Sequence, residues 1–520
     1  MLNCQSQSHE ISYLTRGAIV LSCLALISFI APALALNDGQ CRTPPMGWSS
    51  WNWFRCSNTQ HGQLNSTMVL QMADAMISSG MKDAGYQYVN IDDCWGAHSR
   101  DSRGGLQGIP GQFSDMRALV NQVHAKGLKL GLYTCLFEYT CAEYYDGGGQ
   151  PGLWGHYQQD ADTFVAWGID YLKVDYCNNE AHPGISAAKQ YSVARDAFKK
   201  AVTDAKARGN TNAHPFIFSI CNWGVQQPWL WGDTVGHLWR TGGDISIDYN
   251  SFLSQVDGIL NLYSYAGPGH WNDPDMMQVG NGLATNEDRV HVSMWCIMAA
   301  PLVAGNDIRS MTTTTKTMLI NKEIIAIDQD SLGAQGRKVK GDNSSQVLVK
   351  KLKDGGYGVL FVNRSNAATT ISATWQEIGS ADPQGGGLTA ATPLWGRDLW
   401  AHQDLGRLTT SYSKNVPARD VFFMRLYNYD YTNPTATRPS PGMDPVSALT
   451  IKQENKTILI RGGADPHLRI IFADALGKVF KAFDAATNEL TIPVSELGKG
   501  LMLVTVQSGG RTLSRPFMIR

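Results

Sequence analysis

The sequence predicts an α/β fold: a (β/α)8 TIM barrel, then an antiparallel β domain, then a small C-terminal all-β module. Three observations carry that expectation. From about 44 to 310, eight short strand-like runs recur, most of them separated by amphipathic helical stretches. Beyond about 335 the texture changes to period-two alternation with glycine turns. A proline-rich stretch over 431–445 then precedes a last group of short strands.

The chain start comes first. Arg16 precedes "GAIVLSCLALISFIAPALALN", an apolar run that closes on small residues with an A-x-A site at Ala33-Leu34-Ala35. The run is barely long enough to span a bilayer, and its small-residue exit favours cleavage. Residues 1–35 are therefore expected to be a signal peptide, giving an exported protein without a stable membrane span. Eight of the 10 cysteines lie beyond it, with no C-x-x-C pair to suggest zinc or a redox site. Charge excludes another class. With 44 basic and 45 acidic residues the net charge is −1, so nothing marks a nucleic-acid partner.

The barrel is expected over 40–330. Its strand candidates are "MGWSSW" (46–51), "YQYVNIDD" (86–93), "LKLGLYT" (128–134), "IDYLKVDY" (169–176), "PFIFSICNW" (215–223), "HLWRTGGDI" (237–245), "GHWNDPDM" (269–276) and "PLVAGND" (301–307). A doubly wound sheet is the alternative, but no G-x-G-x-x-G turn follows the first strand. The antiparallel domain spans 335–430, with "SQVLVKKL", "GYGVLFVNRS" and "TTISATW" as strands and no helical signal. The tail, 446–520, reads as further strands such as "LRIIFAD" and "GLMLVTVQ".

Active sites of such barrels lie at the C-terminal strand ends. Those positions hold Trp51, Asp92, Asp93, Tyr133, Lys173, Asp175, Asn222, Trp223, Arg240, Asp244 and Asp275. A lone strand-end aspartate is ordinarily a helix N-cap. Capping does not ask for four carboxylate-bearing strand ends at one rim, or for a lysine two residues before Asp175 on the same side of a buried strand. His237 and His270 stand at strand beginnings, so they read as structural, and Lys173 and Arg240 would oppose a cation; no metal is expected. Paired carboxylates with cations and aromatic walls suit glycoside cleavage.

In order along the chain, "TPPMGWSSWN", "NIDDCW", "KLGLYT", "WGIDYLKVDYC", "CNWG", "WRTGGDI", "WNDPDMMQVGN" and "MAAPLVAGNDIR" resemble glycoside hydrolase family 27, over roughly 40 to 430. The family holds α-galactosidases, α-N-acetylgalactosaminidases and a few β-L-arabinopyranosidases. The resemblance implies a cofactor-free, retaining exo-glycosidase acting on terminal α-D-galactosyl residues of oligosaccharides or polysaccharides. It makes Asp175 the nucleophile and Asp244 the acid/base, with Asp92 on the sugar O6 and Asp93 on O4. Trp51 becomes a wall under the ring, and Asp275 helps line the pocket. Lys173 is implied to bind a hydroxyl and help hold Asp175 ionised. Arg240 and Asn222-Trp223 are placed at the C2 side, and "CNWG" favours galactose over its N-acetylated relative. The resemblance also implies disulfides Cys56–Cys94 and Cys141–Cys177, with Cys221 free near the sugar. Cys135 and Cys296, in apolar runs, read as buried thiols, and Cys41 stays open.

Two other readings stand beside it: β-L-arabinopyranosidase or α-N-acetylgalactosaminidase activity on the same scaffold, and a non-catalytic sugar-binding protein, which has no use for both Asp175 and Asp244. The tail, "LGKGLMLVTVQSGGRTLSRPFMIR", resembles sorting domains of the bacterial type IX secretion route, which implies display at the cell surface. A packing or polysaccharide-binding β module is the competing expectation. Sequons at Asn65, Asn343, Asn363 and Asn455 matter only in a eukaryotic secretory host.

Overall fold

A computed structural model describes residue 36, residues 38–56, 62–143, 149–382 and 388–432, and the strand segments between 450 and 519. The expected signal peptide (1–35) and most of the proline-rich stretch (433–445 of 431–445) lie outside the described residues.

All eight strands form where the pattern placed them, seven of them shorter and the third moved on by one residue: β1 (Met46–Ser49), β2 (Tyr88–Asn90), β3 (Lys129–Cys135), β4 (Tyr171–Asp175), β5 (Ile217–Cys221), β6 (Leu238–Arg240), β7 (Trp271–Asp273) and β8 (Leu302–Ala304). They pair in parallel in the order β7-β6-β5-β4-β3-β2-β1-β8. The ring closes between β7 and β8 through the parallel bridge Met277–Ala304.

The crossovers include α1 (Ser66–Ser78), α2 (Met116–Ala125), α3 (Tyr157–Trp167), α4 (Ala187–Ala207), α5 (Tyr249–Ile259) and α6 (Thr285–Ile297). Local chemistry sets their ends. The Asn65, Asp115 and Asp248 side chains accept from first-turn amides. Gly168 ends α3 at φ +84°, which glycine adopts without strain. The β5–β6 connection differs from a helical crossover. It consists of two 3-10 turns, Pro228–Leu230 and Gly232–Thr234, because Pro228 and Gly232 break up any helical run.

Period-two alternation explains how the strands serve two layers. Leu172 and Val174 of β4 pack outward with the large core between strands and helices. Tyr171 points inward and joins Tyr88, Ile217, Leu238 and Trp271 in an apolar plug at the N-terminal strand ends. Lys173 and Asp175 continue that inward face toward the opposite mouth.

The second domain is antiparallel, as expected. Its six-stranded sheet runs β14-β13-β16-β11-β10-β9, from Gln403–Leu408 through Leu394–Asp398, Asp420–Tyr427, Tyr357–Asn363 and Ser345–Lys351 to Arg337–Gly341. Thr369–Thr374 (β12) pairs separately with Ser411–Val416 (β15). One short helix, Trp375–Gly379, enters where none was expected. Thr374 and Glu377 cap its start reciprocally, a local signal that the strand pattern overshadowed. This domain docks on α6 through a two-pronged ion pair, Arg289 to Asp420 at 2.8 and 2.7 Å. Asn363 is fully buried and donates to three carbonyls, so its sequon is closed in the folded chain. The tail forms a three-stranded and a four-stranded antiparallel sheet.

Candidate active site

The barrel mouth is built from the register of β3, β4 and β5. Tyr133, Lys173 and Ser219 stand side by side at one level, and Cys135, Asp175 and Cys221 at the next. Above them opens a cavity of about 370 Å3 lined by Trp51, Asp92, Asp93, Tyr133, Cys141, Lys173, Asp175, Cys177, Trp223, Gly243 and Asp244. That size is at the small end of ligand pockets, which run from about 300 to 1,000 Å3. Eight of the eleven strand-end candidates share this one space. His237 and His270 stand away from it at strand beginnings, and His237 serves structure: its Nδ1 accepts the Phe218 amide.

Asp92 and Asp93 follow β2 and point to different partners. The Asp92 amide donates to Ser50 Oγ at 2.9 Å, and its carboxylate takes the Lys173 ammonium at 3.0 Å. Asp93 is deeper. Its carboxylate accepts from the Cys94 and Ala142 amides at 2.7 and 2.8 Å, yet burial outweighs these bonds and the Thr140 hydroxyl, lifting its pKa to about 7.

Asp175 is almost fully buried and accepts the Tyr176 amide at 2.9 Å. Burial pushes its pKa up and Lys173 draws it back. Asp244 adds to the rise, and the outcome is about 6. Lys173 thus works in the expected direction, but its hydrogen bonds go to Asp92 and burial prevails. Beside Asp175 runs the Cys141–Cys177 disulfide, with both sulfurs and a carboxylate oxygen within 4.8 Å of one another. Joined sulfurs are not thiolates, so this trio is not a metal-ligand set. Cys56 and Cys94 are also bonded, tying the loop after β1 to the loop after β2.

Asp244 sits on the loop after β6, which wraps around one guanidinium. Arg240 donates through Nη2 to the Gly242 and Gly243 carbonyls at 3.2 and 2.7 Å and to Asp244 at 3.1 Å. Burial alone would raise the Asp244 pKa, but Arg240, Lys173 and Arg55 together hold it below the usual carboxylate value. Its side chain is 53% exposed, so the cavity opens on its side.

Three expected residues stand elsewhere. Asp275 does not line the pocket. It lies beneath, with φ +99°, pairing with Arg240 at 2.9 Å and accepting from the Ile245 and Met276 amides. This left-handed residue falls between β7 and the Met277–Ala304 bridge, and its carboxylate reaches the Asp244 loop at the Ile245 amide. Arg240 is buried behind Asp244 instead of facing the cavity. Asn222 is also buried, its amide donating to the Val225 carbonyl of its own turn. Sequence reasoning missed the sulfurs of Cys141 and Cys177 and the backbone of Gly243 as walls, and Ser50, Thr140 and Ala142 as supports. Among the described residues four cysteines are unpaired: Cys41, half-buried, and Cys135, Cys221 and Cys296, all buried. Cys221 faces Arg240 at 3.8 Å and does not reach the cavity wall.

Among the described residues no helix is long and apolar enough to cross a membrane. Residues 43–330 match the sequence family described as alpha galactosidase A, and residues 342–426 match the alpha galactosidase C-terminal beta sandwich domain. The chain is 46% identical to alpha-galactosidase A of Cellvibrio japonicus over 363 residues, covering 68% of this chain and 83% of that protein. It is 42% identical to the alpha-galactosidase of Cyamopsis tetragonoloba over 382 residues, covering 73% and 85%. In structure it resembles alpha-galactosidase I from Mortierella vinacea, with a TM-score of 0.68 and 31% identity, covering 75% of this chain and 98% of that one.

Proposed function

Because the chain belongs to the α-galactosidase family, glycoside hydrolase family 27, we propose that it releases terminal α-D-galactosyl residues with retention of configuration. One observation carries the reading. Asp175 and Asp244 face a single cavity from β4 and the β6 loop, in opposite electrostatic settings. Two carboxyls across one sugar are what double displacement needs, at about 5–5.5 Å for a retaining enzyme.

In the first step a carboxylate oxygen of Asp175 attacks C1. The C1–O bond breaks, and the leaving oxygen takes its electron pair together with the proton of Asp244. In the second step Asp244 removes a proton from water, the water oxygen bonds to C1, and the Asp175 ester bond opens. Lys173 lowers the energy of the Asp175 carboxylate and fixes Asp92, which meets O6 while Asp93 meets O4. Trp51 supplies an apolar face for the ring. The pocket floor, closed by buried carboxylates and the Cys141–Cys177 bridge, suits cleavage at chain ends. No step calls for a cofactor. Substrates are galactose-bearing oligosaccharides or polysaccharides, met after export directed by residues 1–35, with the 446–520 module as a candidate surface-sorting element.

The test is a panel of nitrophenyl glycosides: α-galactoside, β-L-arabinopyranoside and α-N-acetylgalactosaminide. Release is expected mainly from the α-galactoside, with the α-anomer of galactose as the first product by NMR. Asp175→Asn should abolish release while leaving the fold intact. An inverted first product, or turnover by purified Asp175→Asn, overturns the double-displacement reading.

A further inference from the structure

Arg55 has no part in the chemistry above, yet it lies against Trp51, one wall of the pocket. It follows the short helical turn Trp51–Phe54, with its amide donating to the Trp51 carbonyl at 3.1 Å. Its backbone is at φ +47°, a region that a bulky side chain occupies only when held there. The hold is visible on both sides: that backbone bond before it, and the Cys56–Cys94 bridge after it, which ties it to the loop of Asp92 and Asp93. The guanidinium lies over the Trp51 ring, 5.9 Å from its centre, and Trp51 lines the cavity. The residue is exposed, and among the described residues it forms no ion pair.

The open side of the cavity is the side of Asp244, where the leaving group must sit to receive its proton. Asp92, Asp93 and Asp175 are buried at the back. The other cations near the site are already matched, Lys173 to Asp92 and Arg240 to Asp244 and Asp275. Asp244 must be protonated, hence neutral, when it donates. Among the described residues, the unmatched charge that a leaving group then meets is the Arg55 guanidinium, close enough that its field reaches Asp244.

We propose that Arg55 forms a leaving-group subsite that selects galactosides whose aglycone carries a carboxylate, as galactose linked to an acidic sugar would. This rests on the galactosidase reading and names a preferred substrate class for it. The Trp51 face orients the guanidinium, whose planar fork matches a carboxylate two-pronged. Because the pair forms at an exposed edge, the preference is modest and sensitive to salt.

The experiment compares 4-(carboxymethyl)phenyl and 4-methylphenyl α-galactosides, whose phenols have similar acidity, so leaving-group chemistry cancels in the ratio of kcat/KM. At low ionic strength and a pH where the carboxylate is ionised, wild type should favour the charged substrate by roughly two- to fivefold, the range of an exposed ion pair. The ratio should shrink toward one in high salt and in Arg55→Gln, and fall below one in Arg55→Glu. Turnover of both substrates with a flat ratio in wild type, or a preference that survives Arg55→Gln, overturns the proposal and leaves the galactosidase reading standing. No turnover of either substrate overturns that reading and this proposal together.

Discussion

Replacing Lys173 by methionine should move the basic limb of the pH profile upward. On the proposed mechanism the competent free enzyme carries one proton on the Asp175–Asp244 pair. With two protons Asp175 cannot attack, and with none Asp244 cannot donate. Burial sets the upper ionisation at about 6, on Asp175, while Arg240 holds Asp244 below the usual carboxylate value. In wild type kcat/KM should therefore fall as pH rises through about 6, and fall again only below the ordinary carboxylate range. Lys173 is the largest charge opposing the rise of Asp175 and also lowers Asp244. An adjacent opposite charge is worth ~1–3 pKa units. Taking the low end, because Lys173 hydrogen-bonds Asp92 and not Asp175, the basic limb should move up by about 1 unit. The lost charged contact to Asp92 should also cut kcat/KM on nitrophenyl α-galactoside by ~10–100-fold at the optimum. Limb positions are read from the shape of kcat/KM against pH, so a reduced folded fraction does not shift them. A limb that stays in place or moves to lower pH refutes the assignment of that ionisation to Asp175 beside Lys173.

Asp244→Ala should spare substrates with acidic leaving groups, which need little protonation, and harm natural galactosides more; azide should partly restore turnover, and equal losses without rescue would exclude Asp244 as the acid. Asp92→Ala should narrow the preference for nitrophenyl α-galactoside over β-L-arabinopyranoside, which lacks the C6 hydroxymethyl, by ~10–100-fold, mainly through a slower galactoside reaction. A wild type that favours the arabinoside would show that Asp92 does not grip O6. Replacing both Cys141 and Cys177 by serine opens a link across 36 residues and should lower the urea unfolding free energy by about 2–4 kcal/mol. Unchanged stability would mean that the neighbouring loops are held by other contacts.

What the sequence made legible was mainly what repeats along the chain. A strand shows every second side chain to one side, so "DYLKVDY" placed Lys173 and Asp175 together at the mouth without any tertiary information. The eight strand positions followed from the same alternation between apolar runs and helical stretches. What stayed hidden depends on partners far apart in sequence. Asp93 is held by the Ala142 amide, 49 residues away, and no local pattern announces that. Asp275 reads like any strand-end acid, yet at φ +99° its carboxylate reaches the loop of Asp244 at the Ile245 amide. The charge on Arg240 was evident from "WRTGGD", but not that two glycine carbonyls and two carboxylates would converge on it.

The proton order of the catalytic pair belongs to the same hidden class, and it bears on how the proposed reaction starts. In the empty site the single proton prefers Asp175, which is buried, over Asp244, which is half exposed and beside Arg240. Chemistry needs the reverse. A bound galactoside supplies the change itself: its leaving oxygen and aglycone cover Asp244 and strip its water, which raises the proton affinity there. A sugar hydroxyl donated to Asp175 stabilises that carboxylate and lowers its own. The first effect requires the leaving group and the second the glycosyl ring, so the full exchange needs both at once. Free galactose, which supplies the ring alone, should lower the Asp175 pKa without raising that of Asp244, so product binding leaves the pair without its acid. On the proposed mechanism the protonation step thus reads the whole glycoside, and hydrolysis would be committed only when both halves of the bond to be broken are in place.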